Sequence, residues 1–239
     1  MQQSSTYRMR LKDNVRITDP ACDDIVVKLT LETLDREPVQ PFTSGQFVRM
    51  GIPDVKDPAP AYFAVASSPL ETKNYEIVIK RGTGMADYLA ELAPGAEVEI
   101  EGPMGKGFDL SPFKGCDVIL MGVGTGISPL RSVWDTIIQQ RSDFGKVTIY
   151  AGFLTPLHSL LTDEMAALAE HNIEVNISVA TGGGDWNGAI GYVQDSLLAN
   201  PPSSENSVAC LAGMSAMVDA CTETLQNLGF DDSRILLNF

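Results

Sequence analysis

Beyond residue 113 the chain alternates regularly between apolar runs and helix-like segments, and this alternation constrains its fold most strongly. The apolar runs read DVILMGVG, KVTIYAGF, IEVNISVAT and NSVACLAG, and they begin at residues 117, 146, 173 and 206. Buried strands separated by helices are typical of a parallel sheet, because the crossover helices cover both of its faces. Residues 130–138 also carry apolar side chains at helical spacing. We therefore predict an α/β domain with a doubly wound parallel sheet over residues 114–239.

Residues 1–113 follow a different pattern of short alternating or β-branched runs. These runs read YRMRLKDNVRI, DIVVKLTLETL, GQFVRMGI, AYFAVAS, YEIVIKR and AEVEIEGP, with turn residues between them. Such runs at close spacing favour an antiparallel sheet or a small barrel. One helical insert is predicted over residues 85–92. The sequence thus predicts an N-terminal antiparallel β-barrel domain over residues 1–113.

The composition argues against several kinds of partner. The 239 residues carry a net charge of −14, whereas nucleic-acid binding needs clustered Lys and Arg, so we expect no nucleic-acid partner. No apolar run is long enough to span a bilayer and the N-terminus lacks a signal-like segment, so we expect no membrane partner and a cytoplasmic location. The four cysteines are far apart and only two histidines are present, which predicts free thiols and no metal site.

The glycine-rich stretch GVGTGISP follows the first strand of the second half and opens its first helix. Backbone N–H groups and the positive end of the helix dipole favour a phosphate at such a position. The spacing differs from the GxGxxG of dinucleotide-binding folds, since Ser128 and Pro129 interrupt it. Two interpretations stay open: a phosphate site, or a tight turn that packs a strand closely against a helix. We favour a pyrophosphate held at residues 122–126.

Several segments together resemble the ferredoxin–NADP reductase superfamily. They are GVGTGISPLRS, PGAEVEIEGPMGKGF at residues 94–108, DWNGAIGYVQDSLL at 185–198, LAGMSAM at 211–217 and the aromatic end at Phe239. The segments TGMADYLAEL, MGKGF and ILLNF most resemble the sequences of the compact, plant fruit-protein-like branch. The resemblance covers nearly the whole chain and implies a flavin-binding barrel followed by an NAD(P)-binding domain.

The flavin signature of the family, Arg-x-Tyr-Ser, is altered in this chain to AYFA at residues 61–64. Ala61 cannot pair with the flavin phosphate, and such a charge-assisted bond contributes about 1.5–3 kcal/mol. Phe63 can still lie against the isoalloxazine, whereas Ala64 offers no side chain to flavin N5. The resemblance leaves the backbone groups of Ala64, Val65 and Ala66 to hold the ring.

A second flavin element of the family appears as GTGMADYL. It would present helix N-terminal N–H groups of residues 84–86 to a pyrophosphate, and Arg81 would supply the positive charge lost at Ala61. A plain glycine turn into a helix is the alternative. The family's cysteine in CGP-x-x-M corresponds to Ala212, so slower or more selective hydride transfer is expected.

The resemblance implies the following site residues. For flavin they are Phe63, Ala64, Val65, Ala66, Ser67, Arg81, Gly84, Met85 and Ala86. For the dinucleotide they are Gly122, Gly124, Thr125, Gly126, Pro129, Gly152, Phe153, Ala180, Thr181, Gly213, Met214 and Met217. The residues expected at the reacting centre are Ala64, Thr125 and Phe239, of which Phe239 would move aside for the nicotinamide.

The implied function is an NAD(P)H-dependent flavin oxidoreductase that passes hydride to a bound flavin and then electrons to an unknown acceptor. FAD is expected, with FMN as the alternative, and NADH is favoured because residues 151–159 and 178–186 contain no Lys or Arg. The acceptor would be a separate protein, a quinone or a small molecule.

Two rival interpretations stay open. The altered flavin signature also fits a flavin-free nucleotide-binding module within a larger complex. The chain also resembles the electron-transfer subunits of dihydroorotate dehydrogenase and hydrogenase, although the cysteine cluster usual near their C-terminus is not found in it.

Overall fold

The computed structural model describes residues 6–35 and 37–238 in two sheets with helices around the second. The N-terminal elements are β1 (Thr6–Arg16), β2 (Val26–Thr33), β3 (Phe47–Gly51), β4 (Ala61–Ala64), β5 (Asn74–Lys80), α1 (Met85–Ala90) and β6 (Glu97–Met104). The C-terminal elements are β7 (Asp117–Val123), α2 (Ile127–Gln139), β8 (Val147–Phe153), α3 (Thr162–Ala167), β9 (Ile173–Val179), β10 (Ala189–Ile190), α4 (Val193–Ala199), β11 (Ser207–Ala212), α5 (Ser215–Asn227) and β12 (Ile235–Leu237).

The N-terminal sheet is antiparallel and closes on itself. Its strand order is β4-β3-β6-β1-β2-β5. Val65, just after β4, pairs with Ile77 of β5, so the two edge strands meet. Apolar side chains from alternate strand positions fill the interior, and α1 adds Met85 and Leu89 to them. The predicted antiparallel barrel is confirmed, although its helix spans 85–90 rather than 85–92.

The C-terminal sheet is parallel, in the order β10-β9-β8-β7-β11-β12. All seven residues of β8 are buried, as expected for a strand covered on both faces. Leu130, Val133 and Ile137 form the buried face of α2, as their spacing predicts. The doubly wound α/β domain is therefore confirmed. None of the helices that the structure describes is long and apolar enough to cross a bilayer.

The carboxyl edge of the parallel sheet faces the barrel. Val123 at the end of β7 pairs with Gly152, and Gly122 pairs with Ala212 at the end of β11, so three strands end side by side. The chain leaves β7 through a 3-10 turn at Gly124–Gly126, and this turn lies against β5 of the barrel. The glycine-rich stretch is thus placed at the junction of the two sheets.

The two halves share an apolar interface. Val26, Ala66 and Val78 of the barrel belong to the same buried cluster as Ile127 and Leu130 of α2. The chain crosses between the halves over residues 105–116, which include a 3-10 turn at 111–113. The predicted boundary at residue 113 falls in this connection and stays a prediction.

A cluster of charged side chains lies at the same interface, and of these Arg131 is buried while the others are partly exposed. Arg131 of α2 contacts Glu76 of β5 (Nη1–Oε2, 2.7 Å), Glu164 of α3 (Nε–Oε2, 2.5 Å) and Asp135 of its own helix (Nη1–Oδ2, 3.2 Å). Lys28 of β2 contacts Glu164 (Nζ–Oε1, 2.6 Å). We call these five residues the ionic cluster. It joins three carboxylates and two cations across the junction.

The ionic cluster predicts a pH dependence of stability. Burial raises the pKa of Asp135 to about 6, since the nearby carboxylates of Glu164 and Glu76 add to the effect and Arg131 only partly opposes it. In an unfolded chain the pKa of Asp is about 3.9. The folded protein therefore binds this proton more tightly, and Asp135 lowers the free energy of unfolding as the pH rises from about 4 to above 6.

We expect Asp135→Asn to stabilise the protein by roughly 1–3 kcal/mol more at pH 7.5 than at pH 4.5, because asparagine never ionises. Urea unfolding of wild type and variant at both pH values measures this difference. Asp219→Asn, on the exposed face of α5, removes the same charge and is the control. An equal effect of Asp135→Asn at the two pH values would contradict the assignment.

Candidate functional site

A cavity of about 740 Å³ lies between the carboxyl edge of the parallel sheet and the barrel. The barrel side of its wall consists of Thr18, Asp24, Val26 and Lys80, near the ends of β2 and β5. The opposite wall comes from the segments that follow β7, β8, β9 and β11. In open α/β sheets, ligands bind at this edge, where the loops that follow the strands begin. The cavity is therefore the candidate site.

The three glycines of the GVGTG turn have different surroundings. A Cβ at Gly126 would lie 2.5 Å from the backbone oxygen of Ala212, and one at Gly122 would lie 2.7 Å from Cδ1 of Leu130. Gly124 instead lines the cavity, has φ +52°, and a Cβ there would meet nothing within 4 Å. Gly122 and Gly126 thus permit close packing, whereas Gly124 exposes its backbone to the cavity. The tight-packing interpretation is therefore confirmed for Gly122 and Gly126, whereas a phosphate site at Gly124 stays a prediction.

The structure brings most of the predicted dinucleotide residues to this cavity. Those that line it are Gly124, Thr125, Gly152, Phe153, Ala180, Met214 and Met217. Five others are not part of the lining, namely Gly122, Gly126, Pro129, Thr181 and Gly213. Pro129 is buried in the first turn of α2, and the backbone N–H of Thr181 donates to the Leu154 oxygen (2.9 Å). Their assignment to the dinucleotide stays a prediction.

Three charged or titratable side chains meet at the barrel side of the cavity. Lys80 donates to Asp24 (Nζ–Oδ2, 2.6 Å), and Nε2 of His158 lies 3.5 Å from the same carboxylate oxygen. The hydrogen bond from Lys80 lowers the pKa of Asp24. Nδ1 of His158 is hydrogen-bonded to the Thr155 hydroxyl (2.7 Å). The cavity thus holds one cation that is already paired, and an entering phosphate would compete with Asp24 for it.

Sequence reasoning missed part of the cavity wall. Tyr192, Val193 and Gln194 line it, and the GYV segment that contains two of them was available as a signal. Nothing in the sequence marks the four barrel residues of the wall, because their position depends on how the two halves pack. Of these, Lys80 is the last residue of β5 and directly precedes Arg81.

The barrel segment predicted to hold a flavin ring is mostly engaged in the barrel itself. The N–H of Val65 donates to Gln46 (3.0 Å), and the N–H of Ala66 donates to Glu76 (2.7 Å). The oxygen of Ala66 accepts from Nη1 of Arg131 (2.9 Å). Val65, Ala66 and Ser67 are buried. Val65 and Ala66 could hydrogen-bond a flavin ring through their backbone only if these bonds within the protein were broken. The half-buried Phe63 and Ala64 are the accessible part of the segment.

The turn into α1 is open to solvent. A Cβ at Gly82 would meet nothing within 4 Å, and one at Gly84, where φ is +62°, would meet only Cβ of Pro58 at 3.9 Å. Arg81 forms ion pairs with Asp87 (Nε–Oδ1, 3.5 Å) and with Glu91. A ligand can therefore approach the turn, but Arg81, which is expected to pair with a flavin phosphate, already pairs with these two carboxylates. Of the two other residues predicted here, Met85 is buried in the barrel core and Ala86 packs against it.

The end of the chain returns to the barrel. Nδ2 of Asn238 donates to the oxygen of Gly45 (3.2 Å), just before β3. A Cβ at Gly105 would lie 3.3 Å from the Asn238 oxygen. The predicted catalytic Phe239 lies outside the described residues, so its role stays a prediction.

Comparison with known proteins agrees with this architecture. The family model for the oxidoreductase NAD-binding domain matches residues 120–223. The gamma subunit of sulfhydrogenase 1 from Pyrococcus furiosus is 27% identical over 200 residues, covering 82% of this chain and 67% of the relative. Ferredoxin–NADP reductase B from Sorangium cellulosum is 29% identical over 157 residues, covering 64% of each chain.

A solved structure shows the same fold over nearly the full length. The cytochrome b5 reductase domain of Ulva prolifera nitrate reductase superposes with a TM-score of 0.81 at 18% identity, covering 98% of this chain and 97% of that one. This chain therefore shares the two-domain fold of that reductase domain, and the match to the NAD-binding domain model lies in its C-terminal half. Most of the residues that line the cavity lie within the segment that matches the NAD-binding domain model. The chain spans between about half and two thirds of the length of the curated relatives it matches.

The different surroundings of the glycines predict different costs of substitution. Gly126→Ala should lower the free energy of unfolding by about 2–3 kcal/mol, because its Cβ would overlap backbone. Gly124→Ala should cost about 1 kcal/mol, from the positive φ alone. Gly183→Ala is the control, since a Cβ there meets nothing and its φ is ordinary. Urea unfolding measures all three, and a Gly124→Ala loss equal to that of Gly126→Ala would refute the distinction.

Proposed function

We propose that the protein is an NAD(P)H-dependent flavin oxidoreductase. The observation that carries the proposal is the position of Lys80, the last residue of β5, and of Arg81, which follows it. Lys80 lines the cavity at the carboxyl edge of the parallel sheet, whereas Arg81 lies at the open glycine turn of the barrel. A dinucleotide in the cavity and a flavin at the turn would therefore be neighbours along one strand. Hydride transfer requires such proximity.

Two features near the turn support a bound flavin. The open backbone of residues 82–84 leaves room for a diphosphate, and the half-buried ring of Phe63 offers a surface for an isoalloxazine. A bound flavin would accept hydride from a dihydronicotinamide and release its electrons to an acceptor. The chain's part in this reaction is to bind and orient both groups, with Gly84, Met85, Ala86 and Arg81 at the phosphates and Phe63 and Ala64 at the ring.

The charge of the cavity favours NADH over NADPH. Among the described residues of its lining, Lys80 is the one Lys or Arg, and Asp24 already pairs with it. A 2′-phosphate would bring additional negative charge without a free cation to receive it. Residues 154–158 and 180–186, which follow β8 and β9, likewise contain no Lys or Arg.

The acceptor is proposed only by class. The relatives are named for a sulfhydrogenase, a ferredoxin–NADP reductase and cytochrome b5 reductases. With a net charge of −14, the chain would repel an acidic carrier protein. We therefore propose a neutral or basic protein, a quinone or a small molecule. We also propose that the chain belongs to the ferredoxin–NADP reductase superfamily and, within it, to the compact, plant fruit-protein-like branch, on the segments TGMADYLAEL, MGKGF and ILLNF.

A flavin-free nucleotide-binding subunit is the second candidate. Three observations favour it: Ala61 carries no charge, Arg81 is paired with carboxylates, and the N–H groups of Val65 and Ala66 are engaged. Such a subunit would use the cavity to bind the dinucleotide and would serve a larger complex.

The visible absorption spectrum separates the two candidates. We expect the protein purified without added flavin, or incubated with FAD, to show oxidised-flavin bands that bleach when NADH is added anaerobically. Bleaching should be faster with NADH than with NADPH at equal concentrations. A protein that stays colourless with FAD and FMN, yet binds NADH, would overturn the proposal in favour of the flavin-free subunit.

The pairing of Arg81 predicts the effect of removing its partner. The carboxylate of Asp87 accepts from the Gly82 N–H (3.0 Å) as well as facing Arg81, so it occupies the donors that a flavin phosphate would use. Asp87→Asn should tighten FAD binding by about 5-fold to 20-fold, consistent with about 1–2 kcal/mol for a charge-assisted bond. Fluorescence titration measures the affinity.

Asp163→Asn removes an equal charge from an exposed position on α3 and should leave FAD affinity unchanged. Equal or weaker FAD binding by Asp87→Asn would contradict the placement of the phosphate at this turn.

A further inference from the structure

Helix α2 carries at its N-terminus the glycine turn that lines the cavity, and it also holds the barrel segment next to the proposed flavin site. Nη1 of Arg131 donates to the oxygen of Ala66 (2.9 Å). One turn later, the hydroxyl of Thr136 is hydrogen-bonded to that of Ser68 (2.8 Å). Two consecutive turns of α2 thus form hydrogen bonds with both ends of segment 66–68. This segment directly follows Phe63, Ala64 and Val65.

The guanidinium of Arg131 is held on several sides. It is 7% exposed, and it joins Ala66 and Glu76 of the barrel to Glu164 of α3. A buried arginine with this many partners has one orientation, because each of its planar N–H groups has a fixed direction. Lysine could keep the charge but not these directions together. The contact is therefore sensitive to geometry and not only to charge.

We propose that Arg131 is a positioning residue, which fixes barrel segment 64–68 relative to the glycine turn 124–126. It would thereby set the separation between the flavin and the nicotinamide. The inference rests on the proposed function and deepens it. Arg131 touches neither reacting group, so it would act through Ala66 on one side and through α2 on the other.

A positioning role and a purely structural role predict different effects of replacing Arg131. A residue needed only for stability would, when replaced, weaken folding and the binding of both cofactors together. A positioning residue would leave each binding site formed and would slow the step that requires both sites. Shifts of about 1 Å in the arrangement of reacting groups can cost roughly a hundredfold in rate.

The test compares Arg131→Gln and Arg131→Lys with wild type. The control Arg8→Gln removes the same charge at the exposed ion pairs of β1. Affinities for FAD and for NADH are measured separately by fluorescence titration, and the anaerobic bleaching rate is measured by stopped flow. For Arg131→Gln we expect both dissociation constants within about threefold of wild type and a bleaching rate at least tenfold lower. Arg131→Lys should be intermediate, and Arg8→Gln should match wild type.

Hydrogen exchange of the protein without cofactors supplies a readout that does not depend on activity. The amides of Val65 and Ala66 are buried and hydrogen-bonded, so they should exchange slowly in wild type. Arg131→Gln should speed their exchange at least tenfold, whereas exchange in β1 and β8 should not change. If Arg131→Gln does not fold, Glu76→Gln takes its place, since it removes the barrel carboxylate that Arg131 contacts.

A wild-type bleaching rate in Arg131→Gln would overturn the proposal. So would an equal loss of folding, FAD affinity and NADH affinity, which is the pattern of a merely structural residue. If wild type binds no flavin, the proposed function fails and the positioning role of Arg131 is judged by hydrogen exchange alone. Unchanged exchange over residues 64–68 would then overturn it.

Discussion

The close approach of the β7–α2 turn to the backbone at the end of β11 is the constraint on which the rest of the junction depends. Only glycine permits it, because a Cβ at Gly126 would lie 2.5 Å from the Ala212 oxygen. This contact fixes where α2 begins and how it runs. The direction of α2 in turn brings Arg131 and Thr136 to the barrel and leaves Gly124 facing the cavity.

The junction combines an apolar contact with a partly buried ionic one, and the two contribute differently. The shared apolar cluster of Val26, Ala66, Val78 and α2 side chains supplies most of the attraction, which is non-directional. The ionic cluster adds little net stability, since removing charges from water costs about as much as their pairing returns. Its contribution is direction, because Arg131 satisfies its partners only in one arrangement of the two halves.

The sequence predicts the fold well because its signals are local. Period-two runs identify the barrel strands, and buried runs separated by helical spacing identify the parallel sheet. The role of the glycine-rich stretch can be predicted only in part. Its position predicts a phosphate site, but contacts with β11, more than eighty residues away, decide which glycine is closely packed and which one faces the cavity. The sequence itself shows that Ala61 and Ala64 stand at the arginine and serine positions of the flavin signature. The pairing of Arg81 with Asp87 and Glu91, in contrast, is seen only in the three-dimensional structure. The barrel wall of the cavity, with Asp24 and Lys80, is likewise created by packing between halves.

The central claim is that a dinucleotide binds between the barrel and the carboxyl edge of the parallel sheet. The most direct test is a crystal structure of the protein grown with saturating NADH. We expect a dinucleotide in the 740 Å³ cavity, with its diphosphate at Gly124 and Thr125 and with Lys80 released from Asp24. A dinucleotide bound elsewhere, or an empty cavity in crystals of a protein that binds NADH in solution, would contradict it.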